Sequence, residues 1–337
     1  MRTCTTFFRP SLPFPDSAKW KVEVASIKSS LMRRVALLLA ALLVLLPLNV
    51  QAGTPVAVDD GAVFGSHGGA VSSANSSTLA SLSDLNPVLE DYTATWCTNC
   101  VDVEHALEDL VAERGGQIFA FHRSIGETED PFGTETLDQR WEERYDRRAP
   151  PTVVFNGTTY VIGSVPAGDS LLDDYRALAN QSLGLPAMSS SHFTWTAAQG
   201  GSTTVTWDVN LPLSEAWAGH TFGLEVWVVE TTANYPQGSN GQGDYPHIVR
   251  SITAVDQVVW NEVTVLQGST ALALPTAFDG DDLEVHLVHT LSPPEEPDEV
   301  EDVPLPAESK ERTIPAPGAG LALFAFAAAA RRRALNP

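Results

Sequence analysis

Basic residues are scarce in this sequence once its first 52 residues are passed. That opening stretch holds seven of the 20 lysines and arginines and two of the 42 acidic residues, leaving 13 basic against 40 acidic beyond it, with Lys310 as the one lysine. The formal charge of −22 excludes a nucleic-acid binder, which needs a basic face to displace counterions, and makes anionic lipid surfaces poor partners. Cysteine is as rare: Cys4, Cys97 and Cys100 in 337 residues. No phosphate loop, Ser-His-Asp order or metalloprotease helix stands out, which removes several hydrolase readings. What the chain does have is apolar content, 43% hydrophobic against 18% charged residues, so wholesale disorder and collagen-like repetition are excluded. Its length predicts two folded domains plus accessory segments.

Both ends carry targeting patterns. Met32-Arg33-Arg34, the apolar run Val35–Leu46 and Val50-Gln51-Ala52 before Gly53 follow the charged, apolar, small-residue order of a secretory signal. Residues 1–52 are therefore read as an N-terminal extension and signal peptide cut after Ala52, with an uncleaved anchor helix as the alternative. Met32 heads a better signal than Met1, so translation is expected from either. Residues 293–314 form an acidic, Pro-rich stalk, and 315–333 an uncharged stretch ending in Arg331-Arg332-Arg333, too short for a comfortable crossing of roughly 20 residues. The triple arginine favours a cytoplasmic end. Pro315-Ala316-Pro317-Gly318, a short apolar helix and an arginine cluster resemble the carboxy-terminal sorting signals PGF-CTERM and PEP-CTERM, with Ala319 where their Phe stands. That resemblance implies a sortase-like processing enzyme as a partner and an extracytoplasmic body at the cell surface, anchored to the membrane.

Between the ends, residues 53–84 are rich in Gly, Ser and Ala and read as a flexible lead-in. Residues 85–186 alternate strand and helix patterns: Val88–Thr93 as a strand, Asn99–Arg114 as an amphipathic helix, Ile118–His122 as a strand, Thr134–Tyr145 as a helix, Thr152–Phe155 and Thr159–Ile162 as strands about the Asn156-Gly157 turn, and Ala167–Leu183 as a closing helix. Residues 187–292 turn to period-two strands and predict an antiparallel β-sandwich. Five of the eight tryptophans lie between Trp195 and Trp260, and filling the space between two sheets is the favoured reading over an aromatic ligand platform.

Chemistry concentrates in Trp96-Cys97-Thr98-Asn99-Cys100. At a strand-to-helix junction Cys97 would occupy an exposed helix N-terminus, where unpaired N–H groups and the macrodipole stabilise a thiolate. Cys100, about one turn deeper, would resolve the mixed disulfide that Cys97 forms with a partner. Tetrahedral zinc would need four ligands, and there is no second cysteine pair. A permanently oxidised local disulfide is the serious alternative in an exported protein.

Residues 87–183 resemble a thioredoxin-fold domain. Leu89-Glu90-Asp91-Tyr92-Thr93-Ala94-Thr95-Trp96-Cys97 parallels the family's strand into its active site, and Ala149-Pro150-Pro151-Thr152 its cis-proline loop. The resemblance implies an α/β thioredoxin-like domain followed by the β-sandwich, with Asp91 as the buried acid that takes and returns the proton of Cys100, and Glu90 the alternative inward residue. It further implies that Trp96, Pro150 and Pro151 meet the substrate peptide, Pro150 offering no N–H donor. The order of domains, with Asp244-Tyr245-Pro246-His247-Ile248-Val249-Arg250, is similar to exported thioredoxin-like lipoproteins of bacterial outer membranes; no lipid-accepting cysteine follows the signal here.

Weaker signals are expected to be structural. His286 and His289, three apart on a strand, point to opposite faces and do not converge on a metal. His122, at the end of the second strand, is near the cysteines in one reading, but the solvent side is favoured; Asp279-Gly280-Asp281-Asp282 is expected as an acidic turn rather than a calcium loop. No metal and no cofactor are expected. The chain is thus read as an extracytoplasmic thiol–disulfide oxidoreductase acting on protein thiols and disulfides, the alternative being a cell-surface binding protein whose thioredoxin scaffold is redox-inert and whose sandwich holds the ligand.

Overall fold

A computed structural model describes residues 53–72, 75–124, 130–146 and 149–294. The expected signal and tail helix, the stalk beyond residue 294 and Arg147-Arg148 lie outside the described residues. Among those described, no helix is long and apolar enough to cross a membrane.

The chain opens with β1 (Val56–Ala57), β2 (Ala62–Ala70) and β3 (Ser76–Ala80). It continues through β4 (Val88–Thr93), α1 (Cys100–Arg114), β5 (Gln117–His122), α2 (Glu135–Tyr145), β6 (Thr152–Phe155), β7 (Thr159–Ile162) and α3 (Leu171–Ala179). It closes with β8 (Ser190–Trp195), β9 (Ser202–Leu211), β10 (Thr221–Asn234), β11 (Asp244–Val259), β12 (Thr264–Ala273) and β13 (Leu283–Ser292). Local chemistry explains many of these elements. Thr134 caps α2 by accepting from the Leu137 N–H, and Ser170 caps α3 by accepting from the Asp173 N–H. Asn156 and Gly157 both have positive φ, and the Thr158 N–H closes their turn onto the Phe155 carbonyl, which sets the β6–β7 hairpin.

The expected fold class is overturned by the sheet topology. Strands dominate, and nine of them form one mixed sheet in the order β1-β7-β6-β4-β5-β11-β10-β13-β2, while β12-β9-β8-β3 form a second sheet. This is not a helix-rich α/β thioredoxin domain followed by a separate antiparallel sandwich. The join is β11, whose Ile248 pairs in parallel with Ala120 of β5, so the strands expected for two domains share a hydrogen-bonded sheet. Two register shifts in the β10–β11 ladder, at Leu224/Glu225 and Val228/Val229, are the irregularities that bend such a long strand pair. The lead-in also differs from its flexible reading: β2 lies along β13 and β3 along β8.

The three largest apolar clusters hold this architecture. Phe193, Trp195, Val205, Trp207, Phe222 and Trp260 pack between the two sheets, and in β9 every second residue points into that layer. Trp227 faces the other way, against Phe119 and Phe121. The tryptophans of the second half therefore serve as core. Leu89, Val103, Leu107, Phe155 and Tyr175 join β4 and β6 to α1 and α3. On the opposite side Tyr92, Phe121, Trp141 and Tyr145 join them to α2.

Candidate functional site

β4 is buried along its whole length, with helices on either side. A strand of that kind is ordinarily an unbroken apolar run, yet it carries Glu90 and Asp91 side by side. Strand alternation sends them to opposite faces. Glu90 faces α2, accepting the hydroxyls of Tyr145 at 2.5 Å and Tyr92 at 2.9 Å. Asp91 faces α1; it is 1% exposed, and its Oδ1 has no hydrogen-bond partner. Burial, and after it the negative charge of Glu104, pushes the Asp91 carboxyl well above the ordinary carboxylate range. Both acids are thus inward, where the sequence posed them as alternatives.

The loop after β4 carries the sulfurs. The Cys97 N–H donates to the Ala94 carbonyl at 3.0 Å and the Cys100 N–H to the Cys97 carbonyl at 3.1 Å. Cys97 and Cys100 are joined as a disulfide, Cα to Cα 5.4 Å. Unlike α2 and α3, α1 has no side-chain cap at its N-terminus, so its dipole is directed at the sulfur pair. Cys97 is less open than expected: it retains 6% of its surface and Cys100 none, while Thr98 and Asn99 are the exposed residues of the tip. Ala94 and Trp96 pack against the two sulfurs.

Pro151 follows Pro150 through a cis peptide and immediately precedes Thr152, which pairs with Tyr92 in the β4–β6 ladder. That register sets the proline loop at the end of β4 from which the cysteine loop departs. Pro151 is buried and Pro150 half-buried.

Other partners of the cysteine loop come from outside its motif. His122 is buried, not solvent-facing, and its Nδ1 lies 3.0 Å from Asp130 Oδ2. The same oxygen accepts the Thr95 N–H at 2.9 Å, and Oδ1 accepts the Phe132 N–H at 3.1 Å. Burial alone would raise the Asp130 carboxyl, but His122 and these donors hold it below its ordinary value. From the far side the β10–β11 connection closes in: the Asn240 N–H donates to the Thr95 carbonyl at 3.0 Å, and the Tyr245 hydroxyl to Asn240 Oδ1 at 2.8 Å. Tyr245 belongs to the Asp244–Arg250 stretch singled out in the sequence, the one signal that could have pointed here.

The remaining candidates are structural. His289 points between the sheets toward Ser191, and His286 to the other face against Phe119. Asp279 and Asp282 accept the N–H groups of Asn234 and Thr232.

The site therefore belongs to the class of Cys-x-x-Cys disulfides set between a buried strand and the start of a helix. No protein-family model matches the chain, and no curated protein matches it in sequence. Among solved structures it is similar to HBP35 of Porphyromonas gingivalis, at 16% identity and a TM-score of 0.42, over 60% of this chain and 68% of that one. It is also similar to a structural-genomics protein of Agrobacterium tumefaciens, at 14% identity and a TM-score of 0.38, over 63% of this chain and 95% of that one.

Proposed function

We propose that this protein is an extracytoplasmic, membrane-tethered thiol–disulfide oxidoreductase that acts on protein disulfides through Cys97 and Cys100. The observation that carries the reading is a sulfur pair at the uncapped start of α1 with the buried, part-unpaired carboxylate of Asp91 on the strand behind it. The signal and tail patterns of the sequence support the location.

In the reduced protein the Cys97 thiolate attacks a partner disulfide, forming a mixed disulfide and expelling one partner thiolate. Cys100 then gives its proton to the Asp91 carboxylate and attacks the Cys97 sulfur. The Cys97–Cys100 bond closes, the second partner thiolate leaves, and the partner has gained the two electrons that the pair has lost. Run backwards, the same steps oxidise a dithiol. Cys97 is the sulfur a partner meets, since Cys100 has no surface. Trp96, Pro150 and Pro151 border the partner peptide.

The 6% exposure of Cys97 favours a second reading, a surface-binding protein whose disulfide is permanent and whose β-rich half holds the ligand. Trapping separates the two. The Cys100→Ser variant, incubated with reduced-then-reoxidising exported proteins, accumulates Cys97 mixed disulfides on non-reducing gels if the pair is catalytic. An absence of adducts under conditions that trap a control oxidoreductase selects the second reading.

A further inference from the structure

Asp91 does not itself reach bulk solvent. It is 1% exposed, and a proton that it takes from Cys100 must leave before the next cycle. Beside it lies a void of about 20 Å³, lined among others by Asp91, Thr93, Glu104, His122, Tyr245 and His247, which is room for about one water molecule. Asp91 Oδ1 is buried and unpartnered, Asp91 lines this void, and Glu104 is its half-exposed wall.

Glu104 is held at both oxygens. Oε1 accepts the Thr93 hydroxyl at 2.6 Å, from β4 itself, and Oε2 accepts the Gln242 side-chain N–H at 2.7 Å, from the connection between β10 and β11. A half-exposed glutamate would ordinarily swing freely in solvent; two bonds from different elements pin this one against the void. We propose that Glu104 relays the proton between Asp91 and solvent, and that Gln242 is the positioning residue that holds Glu104 to that task. This rests on the redox reading of Cys97 and Cys100.

The other groups that face Asp91 are unsuited to the step. From α3, burial pushes the Tyr175 phenol up, so that it keeps its proton. From β11, Tyr245 is pushed up to about 12 by burial and Glu104 and already donates to Asn240, and burial pushes His247 down, toward the neutral form. His122 of β5 is tied to Asp130. Glu108, on α1, also lines the void, but it is exposed and, unlike Glu104, no hydrogen bond among the described residues fixes it there. The transfer balances without a co-reactant. Asp91 passes its proton through the water to the Glu104 carboxylate, returning to the anion, and Glu104 releases the proton to solvent; the reverse path recharges Asp91 when the pair is reduced.

The experiment compares full-length wild type, Glu104→Gln, which keeps the Thr93 bond and loses the charge, and Gln242→Ala. Ring closure is followed by stopped-flow tryptophan fluorescence as the reduced protein is oxidised by glutathione disulfide between pH 5 and 9. Asp91 is titrated separately by carboxyl ¹³C NMR. The expected result is a roughly tenfold slower closure near neutrality in Glu104→Gln, a smaller loss in Gln242→Ala, and an Asp91 midpoint lowered by about one pH unit in Glu104→Gln. Cys97 alkylation in the Cys100→Ser background should be unchanged by either substitution. Closure within twofold of wild type across the range, an unmoved Asp91 midpoint, or an equal loss in Cys97 alkylation overturns the relay. Should wild type itself not close its ring, the redox reading fails and the relay with it, a result distinct from an unmoved Asp91 midpoint in a protein that does close.

Discussion

The Asn240 N–H donates to the Thr95 carbonyl at 3.0 Å, two residues before Cys97. A residue from the β-rich second half thereby holds the loop that carries Cys97, while Asp130 holds the Thr95 N–H from the other side. Both main-chain polar groups of Thr95 are spoken for, as a buried peptide requires. The disulfide site is thus assembled from segments more than a hundred residues apart.

That assembly depends on Gly238. A Cβ there would stand 1.9 Å from the Tyr245 hydroxyl and 3.1 Å from the Thr95 carbonyl, and Tyr245 is buried and cannot retreat. Gly238→Ala should cost about 1–3 kcal/mol in urea unfolding and speed hydrogen exchange at the Asn240 and Cys97 amides. Gly241→Ala, where an added Cβ would meet nothing but φ is positive, should leave the Cys97 amide unchanged.

Asp91 should be costly to stability. Its folded carboxyl keeps a proton that the unfolded chain releases above about 3.8, so the folded state loses ground as pH rises from there toward the folded value. Asp91→Asn should therefore be more stable than wild type at pH 8 and nearly equal to it at pH 3.5. Denaturant melts of both proteins at the two pH values check the sign.

Much of this could be read locally, and the misses have a common cause. The Asn156-Gly157 hairpin, the helix that begins at Cys100 and the inward Trp195 and Trp207 all follow from short-range pattern. The pairing of Ile248 with Ala120 does not, because a parallel contact across more than a hundred residues leaves no periodic trace. Glycine misled the reading of residues 53–84: at Gly68 a Cβ would lie 1.8 Å from the Val285 carbonyl, so the residue that suggests flexibility is the one that allows β2 to lie against β13. His122 takes the less favoured of its two readings, near the cysteine loop, because its partner, Asp130, arrives from outside its own strand.

A chain of hydrogen bonds ties the sheets together and should make the fold acid-sensitive. His67 Nδ1 lies 2.8 Å from the Thr78 hydroxyl, His67 Nε2 2.9 Å from Ser191 Oγ, and Ser191 Oγ 2.9 Å from His289 Nε2, with His289 Nδ1 on the Gly65 carbonyl. Burial keeps both rings neutral, so with His289 Nδ1 donating to the Gly65 carbonyl, Ser191 donates to His289, His67 donates to Ser191, and Thr78 donates to His67. Burial, and the neighbouring His289, push His67 down to about 3, and burial pushes His289 down to about 4. The unfolded chain binds these protons below about 6.5, so stability is full above that pH and falls as pH drops toward about 4 and about 3. The slope should be about 1.4 kcal/mol per pH unit for each ring. Urea melts from pH 7 to 4 should show it, and a His67→Gln/His289→Gln double variant, less stable at pH 7, should show a flatter dependence.

Tyr145→Phe should destabilise by about 2 kcal/mol, because Glu90 loses a hydrogen-bond donor in a buried setting. Tyr160→Phe, on the neighbouring ring, should cost less. Thermal melts at neutral pH compare them.

The most direct test of the central claim is equilibration of the purified protein in graded dithiol buffers, followed by acid quench, alkylation and mass measurement of the Cys97 peptide. The redox account predicts reversible, two-electron titration of Cys97 and Cys100 at a potential above roughly −300 mV. A pair that stays oxidised below that value, or that opens only when the protein is unfolded, would contradict it.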